Sequence, residues 1–319
     1  MPQAVFLDLN TVCRDDLDLS HLNQTPYDWN YYLNSEPGQV AQRIANAEVV
    51  VSNKVVLTRE IIAQCNPLKL ICIAATGTNN VDITAAARQG ISVCNVTGYA
   101  TPSVVQHVFA LILTLTTQLP AYQQAVKAGA WQKSQQFCLL DFPITEIAGK
   151  CLGIVGYGEL GRAVARVAKA FGMRVMIAQR PGGPGDDERL PLKELLPQVD
   201  ILSLHCPLSE NTRNLIDAEA LALMKPTALL INTARGGIVD ETALREALLA
   251  GRLGGAAIDV LSQEPPSEGN PLLDSAIPNL LLTPHIAWAS LESRQRLINE
   301  VAQNINAYLR GEPRNLITV

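Results

Sequence analysis

The chain has 319 residues, 48% of them hydrophobic and 17% charged, and a formal charge of −5. This composition excludes an intrinsically disordered chain, and at about 150 residues per domain it predicts two folded domains. The acidic balance offers no general attraction to phosphate backbones or anionic headgroups, which argues against nucleic acid and membrane surfaces as partners.

In the first hundred residues, apolar runs at 4–9, 48–52, 70–74 and 91–94 read as buried strands. They alternate with helical patterns at 39–46, 58–65 and 82–88. That alternation predicts a parallel sheet with helices on both faces. A long apolar helix follows at 104–119; it is short for a membrane span and carries Gln106 and His107. A second, more regular series predicts strands at 151–155, 174–178, 200–204, 227–232, 255–259 and 279–283. Helices fill the gaps, notably 160–171 and 241–249, the latter with Asp240 as N-cap. Six strands in this rhythm predict a doubly wound dinucleotide-binding domain. A strongly periodic helix at 291–309 closes the series.

The seven cysteines are odd in number, scattered, and include no C-x-x-C. Several lie in apolar runs such as Leu70-Ile71-Cys72-Ile73, where a thiol behaves as a small hydrophobe. A reducing, cytoplasmic setting is expected, with neither a disulfide framework nor a metal site. The first residues lack the basic-then-apolar pattern of a secretory signal.

The strand-like run Leu152-Gly153-Ile154-Val155 leads at once into Gly156-Tyr157-Gly158-Glu159-Leu160-Gly161 and then a helical pattern. Three glycines alone could make an ordinary tight turn. With a strand before and a helix after, they read as a dinucleotide loop. Gly156 permits the turn, Gly158 lets backbone approach the pyrophosphate, and Gly161 allows close helix–strand packing. The second strand should close on the ribose-reading position, where an acidic residue selects the 2′-hydroxyl of NAD. Gln179-Arg180 stands there instead. An amide beside a guanidinium favours the 2′-phosphate of NADP(H); NAD(H), with Arg180 a solvated loop residue, is the alternative.

Of the four histidines, His21 lies in a polar loop and His107 inside the apolar helix, where it reads as a core residue. His205 ends a strand in Leu204-His205-Cys206-Pro207, and His285 follows one in Thr283-Pro284-His285. Two more strand ends carry reactive types: Arg235 in Thr233-Ala234-Arg235-Gly236-Gly237, and Glu264 before Pro265-Pro266. An arginine can hold a carboxylate and polarise a neighbouring carbonyl. A histidine can deliver a proton to a developing alkoxide, and a carboxylate favours the charged form of an adjacent imidazole. These are the types that hydride transfer to a keto acid needs.

Together, the glycine loop, Asn232-Thr233-Ala234-Arg235-Gly236-Gly237, Asp259-Val260 with Glu264-Pro265, and Thr283-Pro284-His285 resemble the D-isomer-specific 2-hydroxyacid dehydrogenase family, in order and over essentially the whole chain. Trp131, Phe137-Cys138-Leu139-Leu140-Asp141-Phe142 and Ile286-Ala287-Trp288 look most like its glycerate dehydrogenase/hydroxypyruvate reductase (glyoxylate reductase) branch. The resemblance implies an α/β fold of two doubly wound parallel-sheet domains. One is a flavodoxin-like substrate domain of residues 1–99 and 291–319; the other is a Rossmann cofactor domain of residues 100–290. It implies Arg235 as substrate-orienting arginine, Glu264 as supporting acid and His285 as general acid/base. It also places Ala75, Thr76 and Gly77 as the loop that receives the substrate carboxylate.

Further cofactor contacts implied are Val105, Glu159, Leu160, His205, Cys206, Pro207, Thr212, Thr233, Ala234 and Asp259, with Arg235 and His285 facing the same ligand. The expected activity is NAD(P)H-dependent reduction of a short 2-keto acid, hydroxypyruvate or glyoxylate, to the D-2-hydroxy acid, by a homodimer joined through the cofactor domain. Alternatives are a phosphoglycerate dehydrogenase-like enzyme and a non-catalytic dinucleotide-sensing regulator on the same fold. Three positions depart from the family's wording: Gln106 and Ser262 replace frequent glutamates, and Gln179-Arg180 replaces the usual acidic ending.

Overall fold

The apolar runs of the first hundred residues pair as a five-stranded parallel sheet in a computed structural model that describes residues 1–180, 183 and 189–318. The strands are β1 (Gln3–Phe6), β2 (Asp28–Tyr31), β3 (Ala47–Ser52), β4 (Leu70–Ile73) and β5 (Ser92–Cys94), in the order β2-β1-β3-β4-β5. This is the flavodoxin-like order. The chain divides into two units, Met1–Ala100 with Trp288–Val319 and Thr101–Ala287.

Alternation within the first unit's strands fills two cores, one on each face of the sheet. Phe6, Val49, Val51 and Cys72 meet Leu297, Ile298 and Val301 of the helix Leu291–Leu309. Val5, Val50, Ile71 and Ile73 turn the other way, onto Ile44 and Ile62. Each such side chain is worth about 1.5–3 kcal/mol when fully buried, so these layers dominate the unit's stability. The closing helix is also pinned to the start of the chain: the Arg294 guanidinium forks onto Asp16 at 2.9 and 2.7 Å, holding that carboxyl well below its usual range.

Two local expectations need correction. The strand foreseen at 4–9 stops at Phe6, because the chain turns into a 3-10 segment, Leu9–Thr11. The buried Asp8 carboxylate at this turn accepts the amides of Asn53, Lys54 and Val55 at 2.9, 2.6 and 3.1 Å. Burial pushes the Asp8 carboxyl up despite those bonds. Strand β2 has no apolar run to announce it; it is an edge strand whose stacked Trp29 and Tyr31 rings lie 5.4 Å apart.

Among the described residues the second unit holds six parallel strands: β6 (Cys151–Val155), β7 (Arg174–Ile177), β8 (Ile201–Leu204), β9 (Leu229–Asn232), β10 (Gly255–Ile258) and β11 (Leu280–Leu282). Their order is β11-β10-β9-β8-β6-β7, and a single parallel bridge, Ala178 to Leu190, extends the sheet beyond β7. The order reverses at β6, so the switch point where doubly wound sheets bind ligands lies at its carboxyl end. The helix expected at 104–119 spans Thr101–Thr117; Gln118 then takes a left-handed φ of 53° and a new helix starts at Leu119, with Pro120 in its first turn. Among the described residues no single helix is long and apolar enough to cross a membrane. Asp240 caps Glu241–Leu249 by accepting the Ala243 amide at 3.0 Å.

Candidate active site

Because all six strands of the second unit are parallel, their carboxyl ends share one edge, and the reactive residues gather there. At the end of β6, Gly156 has φ +93°, and a Cβ on it would lie 2.5 Å from the His205 carbonyl carbon and the Cys206 nitrogen. A Cβ on Gly161 would lie 2.1 Å from the Gly156 oxygen, so the protein itself demands both glycines. Gly158 differs. Its φ is −81°, open to any residue, and a Cβ there would meet nothing within 4 Å.

The bare backbone at Gly158 opens the N-terminus of the helix Glu159–Ala170, where N–H groups and the helix dipole favour a phosphate. The Glu159 carboxylate accepts from the Thr101 hydroxyl at 2.5 Å, and Leu160 is half-buried in the first turn. Gly161→Ala is therefore expected to destabilise the fold by about 1–3 kcal/mol through overpacking. Gly158→Ala should leave the melting temperature unchanged and weaken dinucleotide binding. Thermal melts and a cofactor fluorescence titration separate the two.

At the end of β8, the His205 Nε2 pairs with the Ser203 hydroxyl at 2.9 Å, and burial pulls the ring down to about 4. His205 is thus neutral at pH 7. Its Nδ1 and the Thr233 Oγ1, at the end of β9, are buried without a hydrogen-bond partner among the described residues. Two orphaned polar atoms at adjacent strand ends on the edge that bears the glycine loop suit a polar ligand. The Cys206 thiol is pushed up to about 11 by burial, so it packs rather than reacts. Pro207 is exposed, and Thr212 turns its hydroxyl inward onto the Pro207 carbonyl at 2.7 Å. Val105 lies half-buried on the helix Thr101–Thr117. Beyond β7, the Gln179 amide donates to the Arg189 carbonyl at 3.2 Å, and Arg180 is exposed. These features fit a dinucleotide with its pyrophosphate at Gly158.

Arg235 follows β9 on a turn built by Asn232, whose side chain accepts the Ala234 amide at 3.0 Å and donates to the Arg235 carbonyl at 2.9 Å. The guanidinium is anchored through Nη1 on the Ala234 carbonyl at 2.7 Å. From the end of β10 comes Glu264, whose Oε1 accepts the Leu261 amide at 2.8 Å while Oε2 lies 2.6 Å from the His285 Nδ1. His285 sits just beyond β11 with φ +55°, a strained conformation for a side chain of this size. Its amide is held by the Asp259 carbonyl at 2.7 Å. The Asp259 carboxylate accepts the Ile286 and Ala287 amides, both at 2.9 Å, and the Thr283 hydroxyl at 2.5 Å. Burial works to raise that carboxyl, but the hydrogen bonds, with one from His107 among them, outweigh it and keep it below its usual range. Asp259 stays ionised and fixes the turn that carries His285.

In the first unit, Ala75 is buried and Thr76 exposed on the loop after β4. The Thr76 hydroxyl donates to the Val96 carbonyl at 2.9 Å, and its own carbonyl accepts the Asn95 amide group at 2.7 Å. Gly77 follows, half-buried. These bonds tie the loop to the segment that follows β5.

The sequence profile of the D-isomer specific 2-hydroxyacid dehydrogenase NAD-binding domain matches residues 109–287. A glycerate dehydrogenase of Methylorubrum extorquens is 43% identical over 316 residues, 99% of this chain and 98% of that protein. The chain belongs to the D-isomer specific 2-hydroxyacid dehydrogenase family. It is an oxidoreductase acting on a CH–OH group. A hydroxypyruvate reductase of Blautia hydrogenotrophica is 36% identical over 88% of this chain and 87% of its own. The crystal structure of an NADPH-dependent glyoxylate/hydroxypyruvate reductase from Sinorhizobium meliloti, in complex with NADP and malonate, superposes with a TM-score of 0.82 at 26% identity, covering 100% of this chain and 97% of that one.

Reading this 2-hydroxyacid dehydrogenase by residue type missed two supports of the site. His107, read as a core residue, reaches the Thr283 hydroxyl at 3.1 Å and lies 3.5 Å from the Asp259 carboxylate. Nothing local in the helix pattern announces a partner 176 residues away. Asn232 was legible in principle: an asparagine that ends a strand and precedes a small residue is the usual start of an Asx turn.

Proposed function

We propose that this enzyme reduces a short 2-keto acid, hydroxypyruvate or glyoxylate, to the D-2-hydroxy acid, with His285 as proton donor and NADP(H) as preferred cofactor. The observation that carries the reading is the 2.6 Å pairing of His285 Nδ1 with Glu264 on the strand edge that also bears Arg235 and the glycine loop. An imidazole held at Nδ1 by a carboxylate is fixed in orientation and presents Nε2 as the atom that can pass a proton to a bound substrate. His205 is the poorer acid, because burial keeps it neutral at pH 7.

Held by Gly158, the Thr233 hydroxyl and His205, the nicotinamide cofactor would supply the hydride to the substrate's carbonyl carbon. Arg235 keeps one donor on Ala234 and has others in its planar fork for the substrate's carboxylate and carbonyl oxygen. His285 neutralises the alkoxide as it forms, and Glu264 balances the imidazolium. NADPH oxidation measured against a panel of glyoxylate, hydroxypyruvate, pyruvate and 3-phosphohydroxypyruvate tests the reading. The first two should be the best substrates; a clear preference for the phosphorylated acid would overturn it.

Preference for NADP(H) rests on Gln179-Arg180, an amide and a guanidinium in place of the acidic residue that would repel a 2′-phosphate. The NADP-bound reductase of Sinorhizobium meliloti supports the same choice. Arg180→Ala should weaken NADPH use about tenfold or more and leave NADH use nearly unchanged, since a hydrogen bond to a charged group is worth about 1.5–3 kcal/mol. The ratio of kcat/KM values for the two cofactors reads this directly. Equal losses would show that Arg180 does not read the phosphate. We further propose a homodimer through the second unit, whose 119–144 stretch exposes Leu119, Trp131, Phe137 and Leu140.

A further inference from the structure

We propose that Glu241 is a positioning residue for proton transfer, acting through the loop that carries Glu264; this rests on the roles given above to Glu264 and His285. Glu241 opens the helix Glu241–Leu249 directly after its cap, so its carboxylate projects from a fixed element. Its Oε1 accepts the Ser262 amide at 2.7 Å. Its Oε2 accepts the Ser262 hydroxyl at 2.6 Å and the Asn270 side-chain N–H at 2.7 Å. Asn270 in turn accepts the Leu272 amide at 2.9 Å. One carboxylate thus clips both ends of the exposed segment 262–270, and Glu264 lies within it.

The same segment is held on its inner side. A Cβ on Gly236 would lie 1.9 Å from the Leu261 carbonyl carbon and 2.3 Å from the Ser262 nitrogen, so the two backbones touch without a side chain between them. The stretch 235–241 therefore bears Arg235 at one end, the clip at the other, and the base of the Glu264 loop in between. Ser262 acquires a reason here: a short side chain with an O–H and an N–H donor suits one carboxylate, whereas an acidic residue would set two carboxylates against each other.

The bond polarity makes the proposal testable by exchange. Glu241→Gln sets an amide N–H₂ against the Asn270 N–H₂, and Asn270→Asp sets a carboxylate against Glu241. The pair Glu241→Gln/Asn270→Asp restores donor to acceptor, keeps the Ser262 amide bond, and leaves an oxygen for Leu272. Each single variant should lower kcat for hydroxypyruvate about three- to tenfold, because small misplacements of a catalytic group are costly. The NADPH dissociation constant should hold, and the pair should recover kcat to within about twofold of wild type, as expected of directly coupled sites.

Singles with wild-type kcat, whatever their melting temperatures, would overturn the proposal, as would a pair no better than the worse single. Glu264→Gln, measured alongside at pH 8, separates the two levels of the account. If it alone loses rate, Glu241 has no positioning role while Glu264 keeps its own. If it too runs at the wild-type rate, the role of Glu264 fails and the positioning proposal fails with it.

Discussion

His285→Ala is expected to lower kcat for keto-acid reduction by about 10²–10⁴-fold, the usual contribution of a positioned acid/base. The loss should appear in single-turnover NADPH oxidation with saturating keto acid, where chemistry limits the rate. The NADPH dissociation constant should stay near wild type. The backbone carries the opposite risk, because the residue sits at φ +55°. Alanine meets nearly the same left-handed penalty as histidine, and the turn is held by bonds from its amides to Asp259, so the variant should fold. His285→Asn, which tolerates that conformation better, gives a second variant without an imidazole. Near-normal turnover in both would remove His285 from the mechanism.

Arg235→Ala should cost about 10²–10³ in kcat/KM, with KM for the keto acid raised as well as kcat lowered. Two charge-assisted hydrogen bonds at about 1.5–2 kcal/mol each account for that range. A guanidinium that grips the carboxylate binds ground state and transition state alike, while its hold on the carbonyl oxygen strengthens as charge develops; hence both constants move. Arg235→Lys should recover only part of the loss, because an ammonium cannot match a planar fork. The Asn232 side chain bonds the backbone of the turn rather than the guanidinium, so the turn should survive. A variant with wild-type KM and reduced kcat would show that Arg235 acts only on the developing charge.

What was legible in the sequence follows the range of the interactions. The inner strands of the second unit are buried on both faces and read as continuous apolar runs, so Cys151–Val155 and Ile201–Leu204 stand where the pattern put them, to within a residue. The glycine loop is largely local: Gly161 answers to the Gly156 carbonyl and Gly158 to an opening in the same turn, while the contact of Gly156 with His205 and Cys206 comes from the distant end of β8. Edge strand β2 escaped because half of its residues face outward. The supports of the site escaped for another reason. Glu241 meets Ser262 21 residues on, and His107 meets Thr283 176 residues on. No periodicity encodes which distant strand end a side chain will face. Residue type indicated which groups could do the chemistry; the sheet order brought them to one edge.

The central claim, hydride reduction of a 2-keto acid with protonation to the D-product, is tested most directly by the label and configuration of the product. The enzyme is given hydroxypyruvate and NADPH carrying deuterium at both C4 positions of the nicotinamide ring, and the glycerate is resolved on a chiral column with mass detection. One deuterium at C2 of D-glycerate is the expected result. L-glycerate, or glycerate without deuterium at C2, would contradict the account.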